Sequence, residues 1–276
     1  MTTEKVGVDL SGPPATMLAT LYAKALDAGS PEPILGDRYA KDIVERIDYD
    51  WRKTAITARN ASSVTTRSAH FDTWVRQFLA VHQQAVVLDL GCGLDGRFFR
   101  MNPGPGVDWY DVDYPHVAEL RKQLFPTIDH NHVVGASVSD PAWLQAIPAD
   151  RPALMVGEGL TMYLTEQDGT ALLRRVVDRF SCGELQFDAF SRLGIKWQWI
   201  NTTVRRSGST LYWGINGPDE ILQAVPGTRL LAWVSVFDSD TFTRLPGRYR
   251  VLAKAMSLAP ALRYMSQYHR YAFGTT

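Results

Sequence analysis

The chain has 276 residues, and its 29 Lys and Arg residues balance its 29 Asp and Glu residues, so its formal net charge is zero. A neutral chain offers no overall attraction to nucleic acid or to an anionic membrane, and we expect neither as a partner. Two cysteines, Cys92 and Cys182, are too few for a disulfide framework or a cysteine metal site and suit a reducing compartment.

Residues 1–12 lack the charged and then apolar layout of a signal peptide, and no apolar run reaches the length of a membrane span. These features predict a cytoplasmic protein that does not enter a membrane. The chain contains no HxxxH or CxxC pattern, so we expect no metal ion.

The first part of the chain, residues 1–82, predicts a helical cap. Apolar residues at helical spacing predict a helix from Thr16 to Ala28, and further patterns predict helices over Arg38–Ile47 and Trp51–Arg59. Lys24 lies on the first of these helices, where the pattern alone favours a solvated lysine.

Arg67 lies in the stretch 64–72, which leads into an amphipathic helix ending near His82. It is surrounded in sequence by Thr65, Thr66 and His70. Such an arginine is either an ordinary surface residue or a clamp for a carboxylate, because a guanidinium can bind that group through two parallel hydrogen bonds.

The clearest motif is a short apolar strand followed by a glycine turn. Residues 85–90 are too few for a helix and rich in Val and Leu, which predicts a parallel strand buried on both faces. Gly91, Gly93 and Gly96 let the backbone turn and approach a ligand closely. A helix starting near Asp95 would then present free N–H groups to that ligand.

Residues 109–113 predict a second strand ending in Asp113, an acid placed to accept hydrogen bonds from the ribose hydroxyls of an adenosine cofactor. The sequence Gly-Cys-Gly-Leu-Asp-Gly also fits a dinucleotide fingerprint, so a nicotinamide-dependent oxidoreductase is an alternative. However, Asp89 precedes the first glycine and would repel a pyrophosphate. The sulfonium and ammonium of S-adenosylmethionine would be attracted by it, and no Tyr-x-x-x-Lys dyad supports the oxidoreductase.

The middle of the chain alternates strands and helices, which predicts an α/β fold with a mainly parallel sheet. The predicted helices are His116–Leu124 and 166–180. The predicted strands are Asn131–Gly135, Ala153–Val156 and Glu184–Phe190.

Several polar side chains follow these strands, at the edge of the sheet where ligands collect. Tyr114 either stacks on an adenine or packs in the core. Ser137 and Val138 follow the third strand, while Glu158 and Tyr163 follow the fourth and would form a pocket floor.

Residues 191–216 carry Trp197, Trp199, Tyr212 and Trp213 without a clear period, and we interpret them as a helical, aromatic lid over the strand ends. Further along, the patterns predict a strand over 229–237, helices over 241–258 and 261–267, and a final strand over 268–273. We therefore predict one domain, 1–276. Its parts are a cap (1–82), a cofactor-binding core (83–190), the lid (191–216) and C-terminal helices and strands (217–276).

Four motifs resemble one known family. They are Thr66-Arg67, Leu88-Asp89-Leu90-Gly91-Cys92-Gly93, Asp113-Tyr114-Pro115, and Glu158-Gly159 with Tyr163-Leu164. In order and spacing the chain resembles the leucine carboxyl methyltransferases, especially the bacterial tetracenomycin-type polyketide O-methyltransferases. The resemblance implies a Rossmann-like class I methyltransferase fold, with a seven-stranded, mostly parallel sheet and an antiparallel strand near one edge.

The resemblance also implies roles for individual residues. Arg67 and Gly91 would hold the methionine end of S-adenosylmethionine, Asp113 the ribose, and Glu158 would lie near the amino group. Lys24 corresponds loosely to a family lysine that helps to bind a carboxylate.

At the adenine, this chain departs from the family. Ser137-Val138 stands where the family usually has Asp-Leu, and a serine hydroxyl binds the exocyclic amine more weakly than a carboxylate does. A homologue that binds the cofactor without transferring a methyl group is therefore a further alternative.

The resemblance favours methyl transfer to a carboxylate, or to a hydroxyl, of a small aromatic or hydrophobic metabolite such as a polyketide. A carboxylate is already ionised at neutral pH, so Arg67 and Tyr163 would need only to orient it. A phenol would benefit from a base, and His70 is the candidate.

Overall fold

The structure is a computed structural model that describes residues 5–8, 13–58, 60–200, 202–245, 247, 250–251, 254 and 257–274. Its main sheet has seven strands within these ranges. They are β3 (Ala85–Leu90), β4 (Val107–Asp113), β5 (Asn131–Gly135), β6 (Ala153–Gly157), β7 (Cys182–Phe190), β8 (Thr228–Ser235) and β9 (Ser266–Gly274). Two short strands, β1 (Val6–Gly7) and β2 (Ile47–Asp48), pair with each other outside this sheet.

The strands lie in the order β5-β4-β3-β6-β7-β9-β8, and β9 runs antiparallel to both of its neighbours. The predicted seven-stranded sheet with an antiparallel strand near one edge is confirmed. Since β3 to β7 are parallel, the loops after β3, β4, β5 and β6 meet at one edge of the sheet.

The helices surround this sheet. They are α1 (Pro13–Ala28), α2 (Arg38–Arg46), α3 (Ser62–Val81), α4 (Arg97–Met101), α5 (Pro115–Leu124), α6 (Ala142–Gln145), α7 (Glu166–Arg179), α8 (Arg192–Lys196), α9 (Thr202–Ser207), α10 (Pro218–Ala224) and α11 (Pro260–Arg263). Every helix in the described ranges is too short or too polar to cross a lipid bilayer.

Three predicted helices were wrong in extent. The pattern over 51–59 forms only a 3-10 turn, Trp51–Thr54, with Arg59 outside the described residues. The pattern over 241–258 begins as another 3-10 turn, Asp240–Arg244, and the sequence has a proline at 246, which cannot donate a helical hydrogen bond. Residues 247, 250, 251 and 254 are helical as predicted, and the other residues from 246 to 256 lie outside the described ranges. In the pattern over 261–267, residues 266 and 267 pair with β7 instead.

The Val- and Leu-rich composition of β3 follows from its burial on both faces. Val86, Leu88 and Leu90 pack into one apolar cluster with residues of α7, including Leu172. Val87 faces the opposite side, where it packs with residues of α3. All six residues of the strand are buried, so it forms the centre of the core.

The turn between α1 and α2 is held by one carboxylate. Asp27, at the end of α1, accepts hydrogen bonds of 2.9 Å from the backbone N–H groups of Ile34, Leu35 and Gly36. Asp37 then caps α2 by accepting from the N–H of Ala40 at 3.2 Å. These bonds fix the angle between α1 and α2.

His269 of β9 makes folding stability depend on pH. It is fully buried, stacks on Phe187 with 5.2 Å between ring centroids, and its Nδ1 lies 2.7 Å from the Tyr271 hydroxyl. Burial lowers the pKa of His269 to about 3, so the residue stays neutral in the folded state and gains a proton on unfolding at mildly acidic pH.

We expect His269→Gln to make the free energy of unfolding less dependent on pH. As the pH falls from 6 to 4, the free energy of unfolding of the wild type decreases by about 1.4 kcal/mol per pH unit for each proton that only the unfolded state binds. The variant lacks the proton that unfolded His269 would bind. Denaturant titrations at several pH values measure this slope. His116→Gln, at an exposed position, is the control, and an unchanged slope in His269→Gln would contradict the assignment.

Candidate functional site

The glycine turn after β3 is a rigid, left-handed loop. Gly91 and Gly93 have φ angles of +65° and +52°, a conformation that residues with a Cβ adopt at a cost. The N–H of Gly93 donates to Asp113 Oδ2 at 2.7 Å. From α5, Arg121 Nη1 donates to the carbonyls of Gly93 and Asp95, at 3.2 and 2.7 Å. The turn is therefore held from two sides.

Gly96, the third glycine of the motif, packs against a neighbouring side chain and does not form part of the left-handed turn. Gly96 has an ordinary φ of −85°, and a Cβ placed on it would lie 2.7 Å from a carboxylate oxygen of Asp37. Its N–H donates to that carboxylate at 3.3 Å, and α4 begins only at Arg97. The prediction that a helix starting near Asp95 presents free N–H groups to a ligand is wrong, because Asp37 occupies that position.

Most of the predicted site residues line one cavity of about 460 Å³, a size that suits a small-molecule ligand. The cavity lies at the carboxyl ends of β3, β4 and β6. The predicted residues in its wall are Lys24, Arg67, Asp89, Gly91, Gly93, Asp113, Tyr114, Val138, Glu158 and Tyr163.

Arg67 lies in the wall of this cavity because α3 starts at Ser62, earlier than the sequence pattern indicated. Its Nε donates to Glu158 Oε1 and its Nη1 to Asp188 Oδ2, both at 3.0 Å. The guanidinium lies against Gly159, where a Cβ would be 3.2 Å from Nη2. Among the described residues Nη2 has no hydrogen-bond partner, so Arg67 keeps one donor group for a ligand.

Lys24 is not the solvated lysine that the sequence alone favoured. Its side chain is 5% exposed, and Nζ lies 2.7 Å from Asp95 Oδ2 in the glycine loop. Helix α1 thus brings a buried cation across the cavity to the loop. Met17, on the same helix, also lies against the loop, since a Cβ on Gly93 would be 2.8 Å from its Cγ.

Arg97 joins four acidic residues at the base of the cavity. Its guanidinium contacts Asp72 at 3.0 Å, Asp89 at 3.2 Å and Asp95 at 3.3 Å, and it also pairs with Glu158. Its side chain is 2% exposed. These partners come from α3, β3, the glycine loop and the turn after β6, so one side chain connects four separate segments.

We call the whole group of paired side chains the ionic cluster. Its cations are Lys24, Arg67, Arg97 and Arg100, and its carboxylates are Asp37, Asp72, Asp89, Asp95, Glu158 and Asp188. All are at most 8% exposed except Arg67, at 22%. A more exposed arginine, Arg76, approaches Asp72 at 4.0 Å. Within the ionic cluster the carboxylates outnumber the cations by six to four.

The two cluster carboxylates in the middle of the cavity wall differ in protonation. Burial raises the pKa of Glu158, but Arg97 and Arg67 outweigh burial and lower the pKa to about 2. Burial raises the pKa of Asp89 to about 7, because Arg97 opposes it only in part and Asp111 and Asp95 add like charge. Glu158 is therefore ionised at all physiological pH values, whereas Asp89 titrates near neutrality.

The structure does not bring two of the predicted residues into the cavity wall. His70 is buried between Trp74 and Tyr268, with ring centroids 4.3 and 4.6 Å away, and burial lowers its pKa to about 4. It lies outside the lining of the cavity, where the predicted base would be needed. The Ser137 hydroxyl accepts from the N–H of Ser139 at 3.3 Å, while Val138 takes the place at the cavity.

The predicted aromatic lid also differs from its expected form. Helix α9 of this segment contributes Val204 to the cavity wall. Trp199 and Tyr212 are instead 66% and 61% exposed, and Trp213 is buried against Gly169 of α7. None of these three aromatic rings lines the cavity, so they do not define the ligand.

Sequence reasoning missed the apolar wall and the arginines of α4. The wall includes Met162 and Phe190 beside the predicted Tyr163, and the sequence analysis did not assign either residue to the site. Arg97 and Arg100 are three residues apart, which places both on one helix face. That spacing, directly after the glycine motif, was the available signal.

A model of the family "Leucine carboxyl methyltransferase" matches residues 15–177, more than half of the chain. The chain belongs to the leucine carboxyl methyltransferase family. This membership makes it an S-adenosylmethionine-dependent methyltransferase and excludes the nicotinamide-dependent oxidoreductase that the glycine fingerprint had left open.

Individual relatives agree with the family. The chain is 41% identical, over 96% of its length and 98% of the relative, to the tetracenomycin polyketide synthesis O-methyltransferase TcmP of Streptomyces glaucescens. It is 34% identical to the S-adenosyl-L-methionine-dependent methyltransferase dpfgK of Gibberella zeae, over 83% of this chain and 84% of that one. A crystal structure of a putative methyltransferase from Thermobifida fusca shares the fold, with a TM-score of 0.61 at 17% identity over 92% and 94% of the two chains.

The chemistry of the cavity fits the family's cofactor. S-adenosylmethionine carries an ammonium and a sulfonium, and the wall of the cavity presents the carboxylates of Asp89, Asp113 and Glu158. The same carboxylates would repel a pyrophosphate. We propose that Asp113, at the end of β4, binds the ribose and that Glu158 lies near the ammonium of the amino-acid end.

Asp113→Ala tests the proposed ribose contact. We expect it to weaken S-adenosylmethionine binding by about 1–3 kcal/mol, through loss of the ribose hydrogen bonds and of the acceptor for Gly93 N–H. Isothermal titration calorimetry measures the affinity. Asp108→Ala, at the other end of the same strand and paired with Arg151 at 2.6 Å, is the control. Equal affinity in Asp113→Ala and the wild type would refute the assignment.

Proposed function

We propose that this methyltransferase transfers a methyl group to an oxygen of a small aromatic or hydrophobic metabolite, with a carboxylate as the preferred acceptor. The observation that carries the proposal is a cavity with two unlike walls. One wall is the glycine loop with its carboxylates, and the other is largely apolar. The buried free thiols of Cys92 and Cys182 support a reducing, cytoplasmic location for this reaction.

The apolar wall supports a hydrophobic acceptor. Met162, Phe190, Val204 and Val236 lie in this wall, together with the buried ring of Tyr268. These side chains come from β7, α9, β9 and the turns after β6 and β8. An apolar wall of this kind binds a planar or hydrophobic molecule by removing its nonpolar surface from water.

Arg67 supports an acidic group on the ligand. Burial lowers the pKa of its guanidinium, but Asp188 and Glu158 outweigh burial and raise it, so the group stays charged. Two of its nitrogens are held by these carboxylates, which leaves Nη2 in a fixed direction. A donor that is already oriented by neighbours binds a carboxylate oxygen at little cost in entropy.

When bound, S-adenosylmethionine supplies an electrophilic methyl group on a cationic sulfur. The acceptor oxygen provides the electron pair of the new O–C bond, and the pair of the broken C–S bond remains on sulfur. The chain aligns and desolvates the two partners between the glycine loop and the apolar wall. A carboxylate carries no proton to remove, so this reaction needs no base, in agreement with the position of His70 outside the cavity.

Tyr163 is proposed to orient the acceptor beside Arg67. It lies in a 3-10 turn, Thr161–Tyr163, and lines the cavity. Burial raises the pKa of its phenol, so the hydroxyl is a hydrogen-bond donor at neutral pH.

The proposal is tested by incubating the enzyme with S-adenosylmethionine and matched acids and phenols: benzoate, 1-naphthoate and anthraquinone-2-carboxylate against phenol, 1-naphthol and 2-hydroxyanthraquinone. We expect methyl esters from the larger acids, detected by mass spectrometry as the gain of one methylene. Methylation of phenols alone would contradict the carboxylate preference. A chain that binds the cofactor but methylates no member of either series would match the non-methylating alternative.

Arg67→Ala is expected to reduce turnover of an accepted acid more than Lys24→Ala does. Arg67 has a donor directed at the ligand, whereas the Lys24 ammonium is occupied by Asp95. Arg76→Ala, on an exposed position of the same helix, should retain wild-type turnover. Steady-state kinetics, with a melting curve for each variant, give the comparison, and a greater loss in Lys24→Ala would reverse the assigned roles.

A further inference from the structure

The ionic cluster has an uneven charge that its own members do not balance. Four buried or partly buried cations face six carboxylates. Arg76 approaches Asp72 only from an exposed position, at 4.0 Å, and the nearby Arg121 pairs with Asp111 at 2.7 Å, so neither neutralises the carboxylates at the cavity. Unpaired negative charge in a buried region is unfavourable unless a cation approaches it or a proton binds.

The surplus reaches the cavity at Asp89. Both of its oxygens share one nitrogen of Arg97, at 3.2 and 3.3 Å, and that arginine is simultaneously engaged with Asp72, Asp95 and Glu158. Asp72, Asp95 and Glu158 each have at least one further cationic partner. Among the described residues Asp89 has an ion pair with Arg97 alone, so it is the least neutralised of the four carboxylates. Its side chain is 3% exposed and lies in the cavity wall, so the ligand is the cation that can approach it.

We infer that Asp89 is the residue by which this enzyme distinguishes S-adenosylmethionine from its product, S-adenosylhomocysteine, with Arg97 as the residue that positions it. The two ligands share the same ammonium, carboxylate, ribose and adenine, so contacts to these groups cancel in a comparison. They differ in the methyl group and in the positive charge on sulfur. A buried carboxylate in the cavity wall favours the charged form.

The same arrangement links ligand charge to a proton. The groups that face Asp89 are Arg97 from α4, Asp95 from the glycine loop, Asp111 from β4 and Arg121 from α5. Burial and the two aspartates outweigh the arginines and raise the pKa of Asp89 to about 7, so near neutrality it is partly protonated without ligand. A cationic ligand favours loss of this proton, and a neutral sulfur has a smaller effect.

The inference rests on the cofactor and does not depend on the identity of the acceptor. Its test is isothermal titration calorimetry of S-adenosylmethionine, S-adenosylhomocysteine and sinefungin, in which an ammonium replaces the sulfonium. For Asp89→Asn we expect about tenfold weaker binding of the two cationic ligands and less than twofold weaker binding of S-adenosylhomocysteine. A variant that weakens all three ligands by the same factor would overturn the inference.

Asp72→Asn is the matched control. Asp72 contacts the same arginine at a similar distance but lies outside the cavity wall, so removal of its charge should reduce the melting temperature and leave the ratio of the affinities within twofold. If Asp72→Asn changes the ratio as much as Asp89→Asn does, Asp89 has no special role and the inference fails.

Measurements on the wild type alone provide a second test if Asp89→Asn does not fold. Between pH 6 and 8 the preference for S-adenosylmethionine over S-adenosylhomocysteine should rise, because Asp89 gains its charge over this interval. Calorimetric titrations at pH 7 in two buffers of different ionisation enthalpy should show that binding of S-adenosylmethionine releases more protons than binding of S-adenosylhomocysteine. A rise of the preference with pH supports the inference, and sinefungin that behaves like S-adenosylhomocysteine overturns it. Failure to bind any of the three ligands contradicts the cofactor site itself.

Discussion

The buried guanidinium of Arg97 is the interaction on which the site depends. It is in contact with carboxylates from α3, β3, the glycine loop and the turn after β6, so these segments cannot separate without exposing unpaired charge to a nonpolar interior. Buried ion pairs contribute little net stability, since desolvation offsets the Coulomb attraction. Their value here is geometric: they determine where the carboxylates of the cavity wall lie.

The sheet and the glycine loop were predictable because their signals are local. A strand buried on both faces produces a continuous apolar run, as in residues 85–90, and the left-handed turn after it requires Gly91 and Gly93. Asp113 could be placed at the same edge because it ends the next parallel strand. Each of these inferences concerns a few consecutive residues, and each was correct.

The remainder of the site depends on pairs of residues that are distant in the sequence. Arg67 and Glu158 are in direct contact across the cavity, and Lys24 reaches Asp95. A charged residue in a sequence gives no sign of whether its partner will bury it, so Lys24 was predicted to be solvated. The prediction that aromatic residues of the lid cover the site was wrong for a related reason. Trp213 packs over Gly169 of helix α7, a contact between distant parts of the sequence.

The turn held by Asp27 has a consequence for how this fold diversifies. Its three equal hydrogen bonds fix α1 relative to α2, and α1 carries Met17 and Lys24 to the cavity wall beside the loop. An insertion or deletion in residues 30–36 would change the positions of both side chains without a substitution at any residue that lines the cavity. The volume available to a ligand is thus adjustable from a remote surface segment, which gives evolution a way to change what enters while the chemistry stays constant.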